Sequence, residues 1–239
     1  MNDLQFPGAV GLTHLQVYTT ASIDGITGGS PHVHLASAEA YIPTAGYGEA
    51  HTFSAAGFQT HQLVPGRVVW FEPGVIHRLV NTSGTLEILA IMQNAGLPEA
   101  GDAVFTFPDE IMQDADRYQQ EATLPASDTS TRVDAALKRR DLAIQGFNEL
   151  IASPDPAALD TFFHRAIARR AHLLQAWTEL LHEGVEAEIE LTRQRLAAIG
   201  NDSTQLLHAA RLAGTGDARA EHPGVGMCGM LQQYAVLPE

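Results

Sequence analysis

Two short stretches of the chain carry residues whose types and spacing could do chemistry. In residues 28–46, GGSPHVHLASAEAYIPTAG, His32 and His34 are one residue apart. Side chains of a strand alternate between its faces, so both imidazoles leave one face while Val33 leaves the other. Five residues after His34 stands Glu39, far enough on for the chain to turn and offer a carboxylate from the adjoining strand. In residues 65–81, PGRVVWFEPGVIHRLVN, the side chains of His77, Leu79 and Asn81 share one strand face, and the Pro73-Gly74 turn sets where that strand begins. A third imidazole becomes available there. Converging imidazoles with a carboxylate in reach are the residue types that grip a transition-metal ion.

At these residues the chain resembles the cupin superfamily. The first cupin motif runs His-x-His, three or four residues, Glu, six residues, Gly; His32, His34, Glu39 and Gly46 fit all of it. The second has a Pro-x-Gly turn, two residues, His, three residues and Asn, which Gly74, His77 and Asn81 fit, with Gly66 fitting approximately. The family's glycine six residues before the first histidine is Ile26 here, between Gly25 and Gly28, and the motif proline is displaced to Pro73 with Glu72 in its expected place. These departures touch loop geometry and alter no ligand position. The resemblance covers about residues 10 to 95, with both motifs in order.

That resemblance implies an α+β chain: a cupin β-barrel, the double-stranded β-helix or jelly roll, over residues 1–106, followed by a helical C-terminal region over 107–239. It also implies one divalent metal ion held by His32, His34, Glu39 and His77. Three neutral imidazoles and one carboxylate make a borderline-hard donor set with one ligand charge, open to Fe(II), Mn(II), Ni(II), Zn(II) or Co(II). Around an octahedral ion, four protein ligands leave two adjacent places for water, dioxygen or a bidentate substrate. Cupins with this ligand set include dioxygenases of flavonol and diketone type, whereas other cupins isomerise or epimerise sugars. A barrel that binds or senses a small molecule without turnover is the remaining reading. Cupins commonly pair through barrel strands, so a homodimer is implied as well.

Several residues stand near the expected pocket. Tyr41, two residues past Glu39, shares its strand face and could hydrogen-bond a ligand, and Asn81 shares the face of His77; these two are the candidate catalytic side chains. Gln93 and Asn94 end the last barrel strand, where Met92 and Asn94 share a face near the pocket mouth. His14, His51 and His61 read as exposed loop histidines, and Glu72 and Arg78 as solvent-facing or paired with each other or a neighbouring strand. His164, His172, His182 and His208 show no ligand spacing and read as ordinary helix residues.

The elements that must position these groups change character near residue 107. Before it, short runs rich in glycine, valine, threonine and aromatics alternate with turns such as Pro65-Gly66, Pro73-Gly74 and Ser83-Gly84, which predicts a β-sandwich or barrel. After it, alanine, leucine, glutamate and arginine predict helices. One is expected from Pro108 to about Gln120, a second from about Ser130 to Ala152, and a third from about Pro156. An apolar stripe runs from Leu159 to Ile199 with Gly184 as a possible break, and a last helix is expected over Thr204 to Leu212. The end, HPGVGMCGMLQQYAVLPE, reads as an extended segment that packs back on a neighbour.

Bulk properties narrow the partners. A formal charge of −14, from 28 acidic against 14 basic residues, opposes attachment to nucleic acid or to anionic lipid. The tight basic groups, Lys138-Arg139-Arg140 and Arg169-Arg170, read as a solvated helix face rather than a nucleic-acid site. No apolar run approaches a membrane span. The N-terminus lacks the pattern of a secretory signal, and the lone Cys228 fits a reducing compartment, so a cytoplasmic protein is expected.

Overall fold

The structure is a computed structural model and describes residues 6–214, 223–234 and 237–238. Nine strands come first: β1 (Gly11–Val17), β2 (His32–His34), β3 (Glu39–Ala45), β4 (Gly48–Ser54), β5 (Gly57–Leu63), β6 (Val69–Phe71), β7 (Ile76–Val80), β8 (Glu87–Met92) and β9 (Ala103–Phe105). The helices are α1 (Asp109–Met112), α2 (Ala115–Ala122), α3 (Thr129–Ala152), α4 (Ala158–Arg170), α5 (Leu174–Leu181), α6 (Ala187–Gly200) and α7 (Gln205–His208). Strands β10 (Ala213–Gly214) and β13 (Leu237–Pro238) pair with each other, and β11 (Gly224–Val225) and β12 (Gly229–Gln233) lie between them in the chain. No helix among the described residues is long and apolar enough to cross a membrane.

Two antiparallel sheets form the barrel, one ordered β11-β12-β1-β8-β3-β6 and the other β5-β4-β7-β2-β9. From β1 to β9, consecutive strands therefore alternate between sheets except in the β4–β5 hairpin, the arrangement that wraps a jelly roll. Alternation fills its interior: Leu15, Val17, Tyr41, Leu79, Ile88 and Ala90 are buried in one cluster. Gly46, the glycine that closes the first motif, has φ +64°, and a Cβ there would lie 2.4 Å from the Thr85 carbonyl oxygen. Both the left-handed backbone and the close approach require glycine at that turn.

The helices build a second core on the outside of the five-stranded sheet. Val33, Ile76 and Val104 pack there with Ile111, Met112, Tyr118, Ala143, Phe147 and Phe162. Helix α3 comes so close to the strand leaving the barrel that a Cβ on Gly146 would meet the Thr106 carbonyl oxygen at 2.3 Å. Asp128 caps α3 by accepting from the Thr131 amide.

Four helical expectations shift. The helix expected from 108 to 120 is two, because Asp114 caps a new start by accepting from the Asp116 and Arg117 amides. The stripe after Leu159 is broken at residues 171–173 and again by a wide turn at His182–Glu186 around Gly184. It is only partly buried: Phe162 and Trp177 are inside, whereas Ile167, Leu174, Ile189 and Leu196 are exposed. The last helix shrinks to four residues, Gln205–His208.

Of the basic cluster only Lys138 stays exposed, and its arginines do not form a solvated face. Arg140 is 1% exposed and donates to the carbonyls of Thr20, Ala21 and Gly28, while Arg139 donates to those of Ala122 and Gly226. Arg170 reaches the Ala103 carbonyl and the Tyr118 hydroxyl. The loop over residues 18–31 exposes carbonyls toward α3 that no strand satisfies, and a guanidinium with five donors answers several at once.

The C-terminal segment does pack back. Its parts at 222, 235–236 and 239 lie outside the described residues, but β12 pairs antiparallel with β1, with Leu231 opposite Leu15 and Gly229 opposite Val17.

Candidate metal centre

His32 on β2 lies directly opposite His77 on β7, and directly opposite residues of an antiparallel pair share a face. His34, two residues on, joins them on that inner face. Glu39 comes from β3, which belongs to the other sheet. The adjoining strand expected to offer the carboxylate thus offers it across the barrel, because the chain between β2 and β3 crosses from one sheet to the other. The four side chains are buried, and one ligand atom from each lies within 4.8 Å of all the others. His77 Nε2 is 3.1 Å from His32 Nε2 and 3.1 Å from a Glu39 oxygen, and His34 Nε2 is 3.6 Å from the same oxygen.

The outward ring nitrogens explain why the inward ones converge. His32 Nδ1 lies 2.9 Å from the Ser30 carbonyl, His77 Nδ1 2.9 Å from the Val75 carbonyl, and His34 Nδ1 3.2 Å from an Asp102 oxygen. All three partners only accept, so each imidazole carries its proton on Nδ1 and aims a bare Nε2 lone pair at the cluster. With those protons on Nδ1, His32 and His77 face each other acceptor to acceptor, and the Glu39 carboxylate adds two more acceptor oxygens, one of them taken by the Tyr41 hydroxyl. Such buried acceptors without donors are costly unless a cation sits among them. The donor set therefore fits a divalent transition-metal ion.

Without an ion, burial and the neighbouring charges pull these groups in different directions. Burial, then the neighbouring His77 and His34, hold His32 well below the usual histidine range, keeping it neutral. Burial alone would raise Glu39, but the neighbouring His77 and His34 and the hydrogen bond from the Tyr41 hydroxyl outweigh it and lower its pKa. Burial likewise opposes charge on His34, yet the hydrogen bond to Asp102 and the charge of Glu39 raise it.

Asp102 is the functional residue that the spacing of the motifs did not reveal. It is 0% exposed, at the entry to β9. One oxygen accepts from the Leu35 and Ala36 amides at 2.9 and 2.7 Å, and the other from the Ser37 amide at 3.1 Å and from His34 Nδ1 at 3.2 Å. These donors outweigh its burial and lower its pKa. It is separated from His34 by 68 residues. The signal in the sequence is slight, a carboxylate directly before the apolar run Ala103-Val104-Phe105.

Of the candidate catalytic pair, Tyr41 joins the cluster: its hydroxyl donates to Glu39 at 3.1 Å, and burial, then the Glu39 charge, push its pKa well above 10. Asn81 does not. Its amide donates to the Val17 carbonyl at 3.0 Å, and its oxygen accepts from the Leu86 amide at 3.0 Å, tying the end of β1 to the turn before β8. Arg78 does not face solvent or Glu72; it is 1% exposed and pairs with Asp24 of the 18–31 loop. His14, His51 and His61 sit on strands rather than loops, against Glu87, Glu49 and Thr52 respectively. Gln93 accepts from the Ala38 amide, and Asn94 reaches the Ala36 carbonyl, so both brace the loop after His34.

A cavity of about 230 Å³ opens on His32, His34, Glu39 and Tyr41. The C-terminal segment forms part of it. Gly226 is fixed by the Tyr18 hydroxyl and Arg139, and the Met227 carbonyl accepts from the Ser30 amide and hydroxyl. Cys228 packs so closely on Gly29 that a Cβ there would come within 2.6 Å of it. Burial pushes the Cys228 thiol up to about 12, so it rests as an unreactive thiol.

No protein-family model and no curated protein matches the chain. Solved structures do. A TDP-fucose-3,4-ketoisomerase from Campylobacter jejuni is 15% identical over 34% of this chain and 58% of its own, with TM-score 0.29. A sugar 3,4-ketoisomerase from Thermoanaerobacterium thermosaccharolyticum, in complex with TDP, is 13% identical over 46% and 71%, with TM-score 0.32. A cupin protein from Bacteroides fragilis is 21% identical over 36% and 65%, with TM-score 0.27. The chain thus spans less than two thirds of the Campylobacter and Bacteroides proteins. At these values the fold rests on the geometry above: two antiparallel sheets whose strands alternate, with His32, His34, Glu39 and His77 gathered inside, make the N-terminal part of this chain a double-stranded β-helix barrel, with a helical region after it.

Proposed function

We infer that the chain holds one divalent transition-metal ion through His32, His34, Glu39 and His77 and uses it in a reaction on a small oxygen-bearing substrate. The observation that carries this reading is the set of three imidazoles whose Nδ1 atoms are all occupied by acceptors, leaving three Nε2 lone pairs and a carboxylate with a common focus. A bound ion would supply a Lewis acid and, if iron, manganese, cobalt or nickel, a redox centre.

The chain's own residues favour oxygenase-type chemistry of the diketone or flavonol kind over sugar isomerisation. Isomerisation needs a base that moves a proton, and Tyr41 is a poor one, because its hydroxyl is engaged by Glu39 and its pKa is raised. The exposed Glu99 is the acid–base group left on the wall. Tyr41 instead steadies the Glu39 carboxylate in its ionised form. Elemental analysis of protein purified without added metal, followed by dioxygen uptake of the Fe(II)-loaded protein with diketone and flavonol panels, tests the reading against a His77→Ala variant. Iron with substrate-dependent uptake, lost in the variant, supports it. Zinc with no uptake shifts the assignment to isomerisation, and tight ligand binding without turnover by any metal form shifts it to a sensing role.

The same proposal divides the chain into a barrel over 1–106 and a helical region over 107–239, in a cytoplasmic homodimer. The exposed Ile167, Leu174, Ile189 and Leu196 give the helical region apolar surface for such a contact. Sedimentation at micromolar concentration reads the oligomeric state directly.

A further inference from the structure

The walls of the cavity restrict its ligand more than the metal-binding groups do. Its volume is about 230 Å³. That is below the usual range for drug-sized ligands. Leu15, Ala90, Met92, Met227 and Leu231 supply apolar walls. They occupy inward positions of paired strands and the segment that follows α7: Leu231 stands opposite Leu15, and Ala90 opposite Thr13.

The charged side chains that line this cavity are negative or imidazole. Glu39 belongs to the cluster, and the exposed Glu99 lines the wall, held by the Gly96 amide at 2.9 Å and by Gln233 Nε2 at 2.9 Å. Among the described residues no arginine or lysine lines it. With a divalent ion bound, the Glu39 charge leaves one positive charge, which Glu99 offsets, and Asp102 behind His34 adds a further negative one. A dianion entering this apolar space would meet uncompensated like charge, whereas a neutral ligand would not.

We propose that the cavity selects a small, uncharged, mainly apolar ligand that offers oxygen atoms to the ion, and that Met227 and Leu231 of the C-terminal segment set its size limit. This rests on the metal-centre reading above. It places part of the specificity outside the barrel strands that carry the motifs, on a segment that reaches the site through β12 pairing with β1.

The test uses the full chain loaded with Co(II), whose visible spectrum reports ligands at the ion, and two probes of equal oxygen spacing: 2,4-pentanedione, which enters uncharged and chelates as its monoanionic enolate once its proton passes to solvent, and dianionic malonate. Each affinity is taken relative to that for free Co(II). The expected result is a preference for 2,4-pentanedione of at least about tenfold, reduced in Glu99→Gln. The larger 1-phenylbutane-1,3-dione should gain about tenfold in Met227→Ala or Leu231→Ala over the parent chain, with thermal unfolding confirming that each variant is folded. The wild-type comparison of the two small probes needs no variant. Malonate binding as well as the diketone overturns the charge selection, and an equal affinity of the phenyl compound for parent and variants overturns the size limit. Absence of any Co(II) spectrum in the parent chain sinks the metal-centre reading itself, an outcome distinct from a loaded protein with the wrong selectivity.

Discussion

Replacing Asp102 with asparagine tests the centre where the structure is most explicit. The Asp102 carboxylate accepts four hydrogen bonds, two at each oxygen: Leu35 and Ala36 amides on one, the Ser37 amide and His34 Nδ1 on the other. Asparagine has a single acceptor oxygen. If that oxygen keeps Leu35 and Ala36, its NH2 group faces two donors, Ser37 N–H and His34 Nδ1–H. Flipping the amide restores His34 but turns the NH2 on the shorter contacts, at 2.9 and 2.7 Å. The first orientation is the less costly, and it drives His34 to the other tautomer, with its proton on Nε2 and no lone pair for an ion. Loss of the partner that orients a metal-binding imidazole lowers affinity about 10- to 100-fold, or about 1.4–2.7 kcal/mol. Competition titration of Co(II) into metal-stripped protein measures it, and circular dichroism shows whether the variant is folded. A folded Asp102→Asn protein that binds Co(II) as tightly as the parent would refute the account of how the tautomers are set.

Other expectations follow from the same packing. The Arg78 guanidinium and the Ser22 hydroxyl outweigh partial burial and hold Asp24 at about 2, against an ordinary 3.8. Because the folded value is the lower one, the unfolded chain takes up the proton first on acidification. The pair's contribution of about 2 kcal/mol is therefore complete above about pH 5 and lost progressively between about pH 5 and 1; urea unfolding of the parent and of Asp24→Asn across that window should show the difference shrinking as pH falls. Gly146→Ala forces a methyl group against the Thr106–Pro108 backbone, so a loss of about 1–3 kcal/mol is expected in urea unfolding despite alanine's better helix propensity. Arg140→Met keeps much of the volume but strands the carbonyls of Thr20, Ala21 and Gly28. A loss of about 3 kcal/mol is expected, with increased amide exchange over residues 18–31.

What could be read along the chain was whatever depends on near neighbours. One residue between His32 and His34 fixes a common strand face, and the motif glycine Gly46 sits where a left-handed turn is needed, so the donor set and the barrel were legible before any coordinates. The alanine- and leucine-rich run after about Ser130 predicted α3 for the same reason, since helix propensity is local. The rest depends on which distant segments meet. Glu39 reaches the cluster from the opposite sheet, Asp102 meets His34 across 68 residues, and Arg139 and Arg140 turn inward because loop carbonyls lie beneath them. The C-terminal segment is an equally clear case: a strand propensity near its end is local, but its choice of β1 as a partner is not. Backbone hydrogen bonding is generic, so any open sheet edge could have received it; the edge it found, and hence the wall it gives the cavity, was settled by the closing of the whole chain around its two cores.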